Sequence, residues 1–111
     1  MAAFVKGEVV IVPFPFSNFS GAKRRPALVV ANLSGDDFIL CQITSQPPRD
    51  TYSVSLQSSD FSSGSLPIST SYIRPNKLFT ADGNIVLRSA GTIKSTKSDE
   101  VIRKLVEILN N

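Results

Sequence analysis

The sequence predicts a mainly β protein, a small barrel of short strands with one α-helix at its C-terminus. Three observations carry this expectation. Runs rich in Val, Ile, Leu and Phe recur from residue 8 to residue 92, each broken by Gly, Pro, Asn, Asp or Ser. Helical spacing of apolar residues appears only near the end of the chain. The length, 111 residues, suits one hydrophobic core rather than two, so residues 1–111 are expected to form a single domain.

The elements follow in order. Glu8 to Val12 is a strand whose near-continuous apolar run implies burial on both faces. Pro13 closes it, and Phe14-Pro15-Phe16 stays extended because proline fixes φ and biases its predecessor away from helix. Ser17 to Ala22 is a polar loop ending in Lys23-Arg24-Arg25-Pro26. Ala27 to Ala31 and Phe38 to Thr44 are strands joined by the turn Asn32 to Asp37, and the first three strands are expected to be sequential antiparallel neighbours. After the Pro47-Pro48 loop, Tyr52 to Leu56 alternates as a half-exposed strand. Gln57 to Leu66 reads as a flexible surface loop. Ser71 to Ile73 and Lys77 to Thr80 read as short strands around Arg74-Pro75-Asn76, and Ile85 to Thr92 as the last strand. Ser98 is the expected N-cap of the helix, with Asp99 and Glu100 in its first turn. Val101, Leu105 and Leu109 mark its buried stripe, with Arg103, Lys104 and Glu107 in water. The pattern suits an SH3-like barrel, an OB-fold or a sandwich, and does not choose among them.

Composition excludes several functions. A single cysteine, Cys41, cannot form an internal disulfide, and it alternates with Ile39 and Ile43 as a core residue would. There is no signal-peptide pattern and no apolar run near the roughly 20 residues a spanning helix needs. A cytoplasmic protein without a membrane segment is expected. The chain has no histidine, which removes the usual general base and, with one cysteine, any plausible zinc site. No metal or cofactor is expected. The formal net charge of +3 favours anionic partners without naming one.

Three segments stand out. Lys23, Arg24 and Arg25 abut a loop holding Ser17, Asn18 and Ser20, and a guanidinium at a strand mouth is suited to clamp phosphate. Taken alone, the cluster also reads as charges that block pairing at a strand end. Thr44-Ser45 puts two hydroxyls where a strand leaves the sheet, a position that plain turn chemistry also explains. Arg74-Pro75 repeats the Arg25-Pro26 arrangement, which a β-turn would equally produce. Phe19 is a candidate for stacking on bases, while Phe14 and Phe16 suit a core or a dimer interface.

Read in order, Lys6 to Phe16 followed by Lys23-Arg24-Arg25-Pro26-Ala27-Leu28-Val29-Val30 resembles the opening of the MazF/PemK toxin family. Ile43-Thr44-Ser45 resembles its second motif, and Tyr72 to Leu78 its third. The resemblance spans nearly the whole chain. It implies an SH3-like small barrel working as a homodimer, and a metal-independent endoribonuclease that cuts single-stranded RNA. In such a reaction the RNA 2′-hydroxyl attacks the adjacent phosphorus and leaves a 2′,3′-cyclic phosphate and a 5′-hydroxyl. It also implies a co-encoded antitoxin as protein partner. By this match Arg25 and Thr44 are the catalytic candidates. Asn18, Ser20, Lys23, Arg24, Ser45, Arg74 and Asn76 are the RNA-binding ones. Some members carry an acidic residue where this chain has Asn76, which cannot act as a base. A non-catalytic barrel of the same family, binding nucleic acid or inhibiting a protein target, is the competing reading. An unrelated small barrel with a solvated basic rim is the third.

Overall fold

The computed structural model describes residues 4–15 and 22–111, with side chains from 4–13 and 24–111. The described strands are β1 (Glu8–Pro15), β2 (Ala22–Asn32), β3 (Asp37–Thr44), β4 (Val54–Gln57), β5 (Phe61–Gly64), β6 (Thr70–Asp82) and β7 (Arg88–Ile93), and α1 (Ser95–Leu109) follows them. They form one sheet in the order β4-β6-β3-β2-β1-β7-β5, with every neighbouring pair antiparallel. The sheet curls into a nearly closed barrel, and α1 packs its Val101 and Leu105 into the interior with Val9, Leu28, Ile43, Val54 and Ile73. The expected mainly β barrel with a C-terminal helix is what the chain forms.

The central strands serve two apolar clusters. Val9, Leu28, Cys41 and Ile43 face the barrel interior. The alternate residues Val10, Val12, Ala27, Val29 and Leu40 pack on the opposite face with Phe38 and Ala81, under Phe4, Phe79 and Val86. Burial on both faces explains why β1 and β2 read as apolar runs rather than as alternating strands. It also replaces the single expected core with two clusters sharing one sheet.

Several boundaries differ from the sequence expectation, each for a local reason. β1 runs through Pro13 to Pro15. The Ile11 carbonyl accepts the Leu87 N–H at 2.8 Å, so odd-numbered residues of β1 point their polar groups toward β7. The β7 pairing ends at Ile11, and the N–H that Pro13 and Pro15 lack would face the side β7 has left. β2 begins at Ala22 and not at Ala27, so Lys23 to Pro26 lie within a strand paired to β1 rather than in a loop. Pro26 precedes the first β2–β3 pair, Ala27 opposite Gln42.

The segment expected as two short strands is the single strand β6. Its register on β3 jumps from Leu78 opposite Cys41 to Arg74 opposite Gln42, a bulge over Pro75 to Lys77 that tolerates the buried Pro75. Residues 83–85 form a 3₁₀ turn, and β7 starts only at Arg88. The expected flexible loop 57–66 contains a 3₁₀ turn and β5. β5 pairs with β7 where Gly64 meets Gly91. A Cβ on Gly64 would lie 2.2 Å from the Ala90 carbonyl oxygen, and one on Gly91 would lie 2.4 Å from that of Ser63.

The helix starts a turn earlier than expected. β7 ends at Ile93, and Lys94 is the N-cap, its carbonyl accepting the Lys97 and Ser98 N–H groups at 3.0 Å. Ser98 is therefore buried inside the helix and not its cap. Val101 and Leu105 are buried as the stripe predicts, but Leu109 is 73% exposed. Among the described residues no helix is long and apolar enough to cross a membrane.

Candidate functional site

Two features of the barrel bring the basic residues together. Ile11 of β1 faces Pro26 of β2 on one side and Arg88 of β7 on the other. Pro26, Ile11 and Arg88 thus form one row across three strands. That row is part of the wall of a cavity of about 690 Å³, which Arg24, Arg25, Ser45, Ser71 and the β5–β6 connection Leu66-Pro67-Ile68 also line. Its lining is apolar between Ile11, Pro26, Ile43 and Leu66, and it carries three guanidinium groups, Arg24, Arg25 and Arg88. Among the described residues no carboxylate lines it. A cavity of this size and character suits a ligand with a flat apolar part and an anionic one.

The second feature is set by register. The β2–β3 ladder runs to Ala27 opposite Gln42. Two residues further along each strand lie Arg25 and Thr44, on the same sheet face by the two-residue period of a strand. Thr44 in turn faces Tyr72 of β6, and Gln42 faces Arg74. Arg25, Thr44, Tyr72 and Arg74 therefore share one face at one end of the barrel. The Thr44 Oγ1 accepts the Gln46 N–H at 3.2 Å, which fixes the turn leaving β3 while the hydroxyl proton stays available to donate.

Asp50, in the β3–β4 connection, ties this face together. Its Oδ2 accepts from Arg74 Nη2 at 3.0 Å and from Asn76 Nδ2 at 3.2 Å. Its Oδ1 accepts from the Tyr52 N–H at 3.2 Å. Partial desolvation pushes the Asp50 carboxyl upward. The hydrogen bonds from Tyr52, Arg74 and Asn76, with the charge of Arg74, outweigh it and hold the carboxyl below its ordinary value. The Arg74 Nε is buried and finds no acceptor among the described residues. Cys41 is sealed in the core, where desolvation pushes its thiol up to about 12, so it is no nucleophile at neutral pH. Among the described residues no three His, Cys, Asp or Glu side chains come together to hold a metal ion.

The sequence profile of the PemK-like, MazF-like toxins of type II toxin–antitoxin systems matches residues 5–109. The chain belongs to that family. Solved structures with the same fold include MazF from Deinococcus radiodurans, which is 21% identical with a TM-score of 0.74 over 100% of both chains. The D. radiodurans MazE–MazF complex gives 21% identity and a TM-score of 0.74 over 98% of each chain. An endoribonuclease from a mycobacterial species, in complex with its cognate antitoxin, gives 16% identity and a TM-score of 0.74 over 97% of this chain and 96% of that one. No curated protein sequence matches the chain closely enough to count as a relative.

Against this family frame, the expected residues of the MazF-like chain fall into three groups. Arg24, Arg25 and Ser45 line the cavity, and Arg25 shares its sheet face with Thr44. Arg74, on that same face, and Asn76 are both held on Asp50, and neither lines the cavity. Asn18 and Ser20 lie outside the described residues, as do Phe16, Phe19 and the side chains of Phe14 and Lys23. Sequence reasoning missed Asp50 and Arg88. The turn bond to the Tyr52 N–H is local, but the side chains that Asp50 holds lie 24 and 26 residues downstream, where nothing in the sequence ties them to it. Arg88 was legible only as a cation on a strand, because its neighbours in the cavity come from β2, β3 and the β5–β6 connection.

Proposed function

We propose that this chain is the toxin of a type II toxin–antitoxin pair and a metal-independent endoribonuclease that cuts single-stranded RNA. The observation that carries the reading is the sharing of one sheet face by Arg25 and Thr44 beside a cavity rimmed by guanidinium groups, in a chain of the MazF-like toxin family. With no histidine in the chain, the chemistry that fits is one in which RNA supplies its own nucleophile. The 2′-oxygen attacks the adjacent phosphorus and loses its proton to water. The bond from phosphorus to the 5′-oxygen breaks, and that oxygen takes up a proton. The products are a 2′,3′-cyclic phosphate and a 5′-hydroxyl. Arg25 donates hydrogen bonds to the phosphate oxygens as negative charge builds, and Thr44 orients the phosphate or the attacking hydroxyl. Arginine, with a pKa above about 12, serves better as a donor of hydrogen bonds than of protons. Arg24, Lys23, Ser45, Arg74, Asn76, Asn18 and Ser20 shape the RNA groove.

In this reading residues 1–111 act as one domain in the cytoplasm, as a homodimer, and a cognate antitoxin silences it. The large apolar side chains left exposed on a single chain, Leu33 and Leu78 among them, support a second copy. The test is incubation of the pure protein with a long mixed-sequence RNA in EDTA. Discrete cuts ending in cyclic phosphate are expected. Arg25→Ala should slow cleavage by roughly 100- to 1,000-fold, the effect of removing one donor to a developing oxyanion. Thr44→Ala should slow it less. Absence of cutting by folded protein overturns the enzyme reading and favours the non-catalytic binder.

A further inference from the structure

We infer that Arg88 and the cavity beside it form a nucleotide subsite, in which Arg88 holds a phosphate of the RNA outside the cleaved bond while the adjoining base lies on the apolar lining. The inference rests on the ribonuclease reading and adds a residue that none of the three sequence motifs contains.

The geometry points there for three reasons. First, β7 and β2 flank β1, so Arg88 stands two strand spacings, about 10 Å, from the Pro26 side of the row. Arg88 therefore lines the cavity from β7, while Arg24 and Arg25 line it from β2, so one RNA strand in the cavity meets cations on both sides. Second, the cavity offers apolar surface from Ile11, Pro26, Leu66 and the exposed Leu87. A nucleobase unstacked from its neighbours presents a flat apolar face of the kind such a wall accepts. Third, Arg88 is exposed and forms no ion pair with any described residue, and no described carboxylate lines the cavity. Arg74, by contrast, is already neutralised by Asp50. Arg88 is thus a solvent-facing cation left available to an anion in the cavity. Ser45 and Ser71 line the same space and offer hydroxyls to a base edge.

The experiment measures binding of a fluorescent 2′-O-methyl RNA pool of mixed sequence, which the proposed reaction cannot cut, at several salt concentrations. Wild-type affinity should fall steeply with salt. Arg88→Ala should weaken binding several-fold at low salt and reduce the slope of log K against log salt by about 0.7, the value for one lost phosphate contact on a single strand. Arg88→Lys should restore the slope. Circular dichroism confirms that the variants are folded, and sedimentation reports their assembly. An unchanged slope in Arg88→Ala overturns the subsite. So does a weakened binding that tracks loss of the dimer, because Arg88 would then act on the interface. If wild type neither cuts natural RNA nor binds the pool, the ribonuclease reading fails. If it does both and Arg88→Ala behaves like wild type, only the subsite fails.

Discussion

Asp50 gathers Arg74, Asn76 and the Tyr52 N–H on one carboxylate, and it makes a prediction about acid. Its folded-state value lies below the ordinary 3.8. A carboxylate of this kind stabilises the fold at pH values above its unfolded value, and that contribution disappears as pH falls through the depressed folded value. The stability difference between wild type and Asp50→Asn should therefore be greatest near neutral pH and shrink steadily below about pH 4. Urea melts across that range test it, as does an NMR titration of the Asp50 carboxyl, whose midpoint should fall below 3.8. A difference that stays constant down to pH 2 would show that the contact does not depend on the charge. Added salt should reduce the effect, because both partners are about one-quarter exposed. The same residue shows where sequence reading stops. Arg25 and Thr44 were legible as candidates because motif order marks them, although Arg25 lies within β2 and not at the strand mouth expected of it. Asp50 was not, because a polar residue in a Pro-rich loop gains its role only when the barrel carries β6 past it.

At the scale of elements, the strands that were legible are those whose side chains decide their place. β1, β2 and β3 bury adjacent apolar residues on both faces, Val9 with Val10, Ala27 to Val30, and Leu40 with Cys41, and these apolar runs announce them. β5, with the sequence Phe-Ser-Ser-Gly, buries almost nothing and is placed by backbone fit instead. At the Gly64–Gly91 contact the two main chains lie closer than any Cβ allows. Gly64→Ala and Gly91→Ala should each cost at least the roughly 1–3 kcal/mol typical of overpacking, because backbone on the opposite strand has no rotamer to change. Gly35 is the control. Its φ is +71° and a Cβ there meets nothing within 4 Å, so Gly35→Ala should cost only the left-handed backbone, about 1–2 kcal/mol. Hydrogen exchange separates the cases. The Ser65 N–H, bonded to the Ala90 carbonyl at 3.2 Å, should lose protection in the Gly64 and Gly91 variants and keep it in Gly35→Ala. The bulge in β6 is a similar case. The proline that made Arg74-Pro75-Asn76 read as a turn between strands instead sits at a register shift inside one.

On the scale of the whole molecule, one sheet divides the apolar residues into two clusters while joining them mechanically. Leu28 and Leu40 are both fully buried, Leu28 toward the barrel interior and Leu40 on the opposite face. They sit on adjacent strands one position out of register, since Leu28 faces Cys41 and Val29 faces Leu40. Neither cluster can lose its order while the β2–β3 ladder remains intact, so both should melt together. Leu28→Ala and Leu40→Ala should each destabilise by about 2–5 kcal/mol, the range for truncating a fully buried leucine. The chain has no tryptophan, but Tyr52 and Tyr72 report from the β4–β6 side of the barrel. Their fluorescence and far-ultraviolet circular dichroism should trace the same urea transition in wild type and in both variants, as cooperative unfolding requires. A variant in which the tyrosine signal and the backbone signal separate would show that the two clusters are independent units. The cavity between β2 and β7 depends on the same coupling. Its walls come from the strands that both clusters hold, so destabilising either cluster should weaken the RNA binding proposed above only when the whole barrel unfolds.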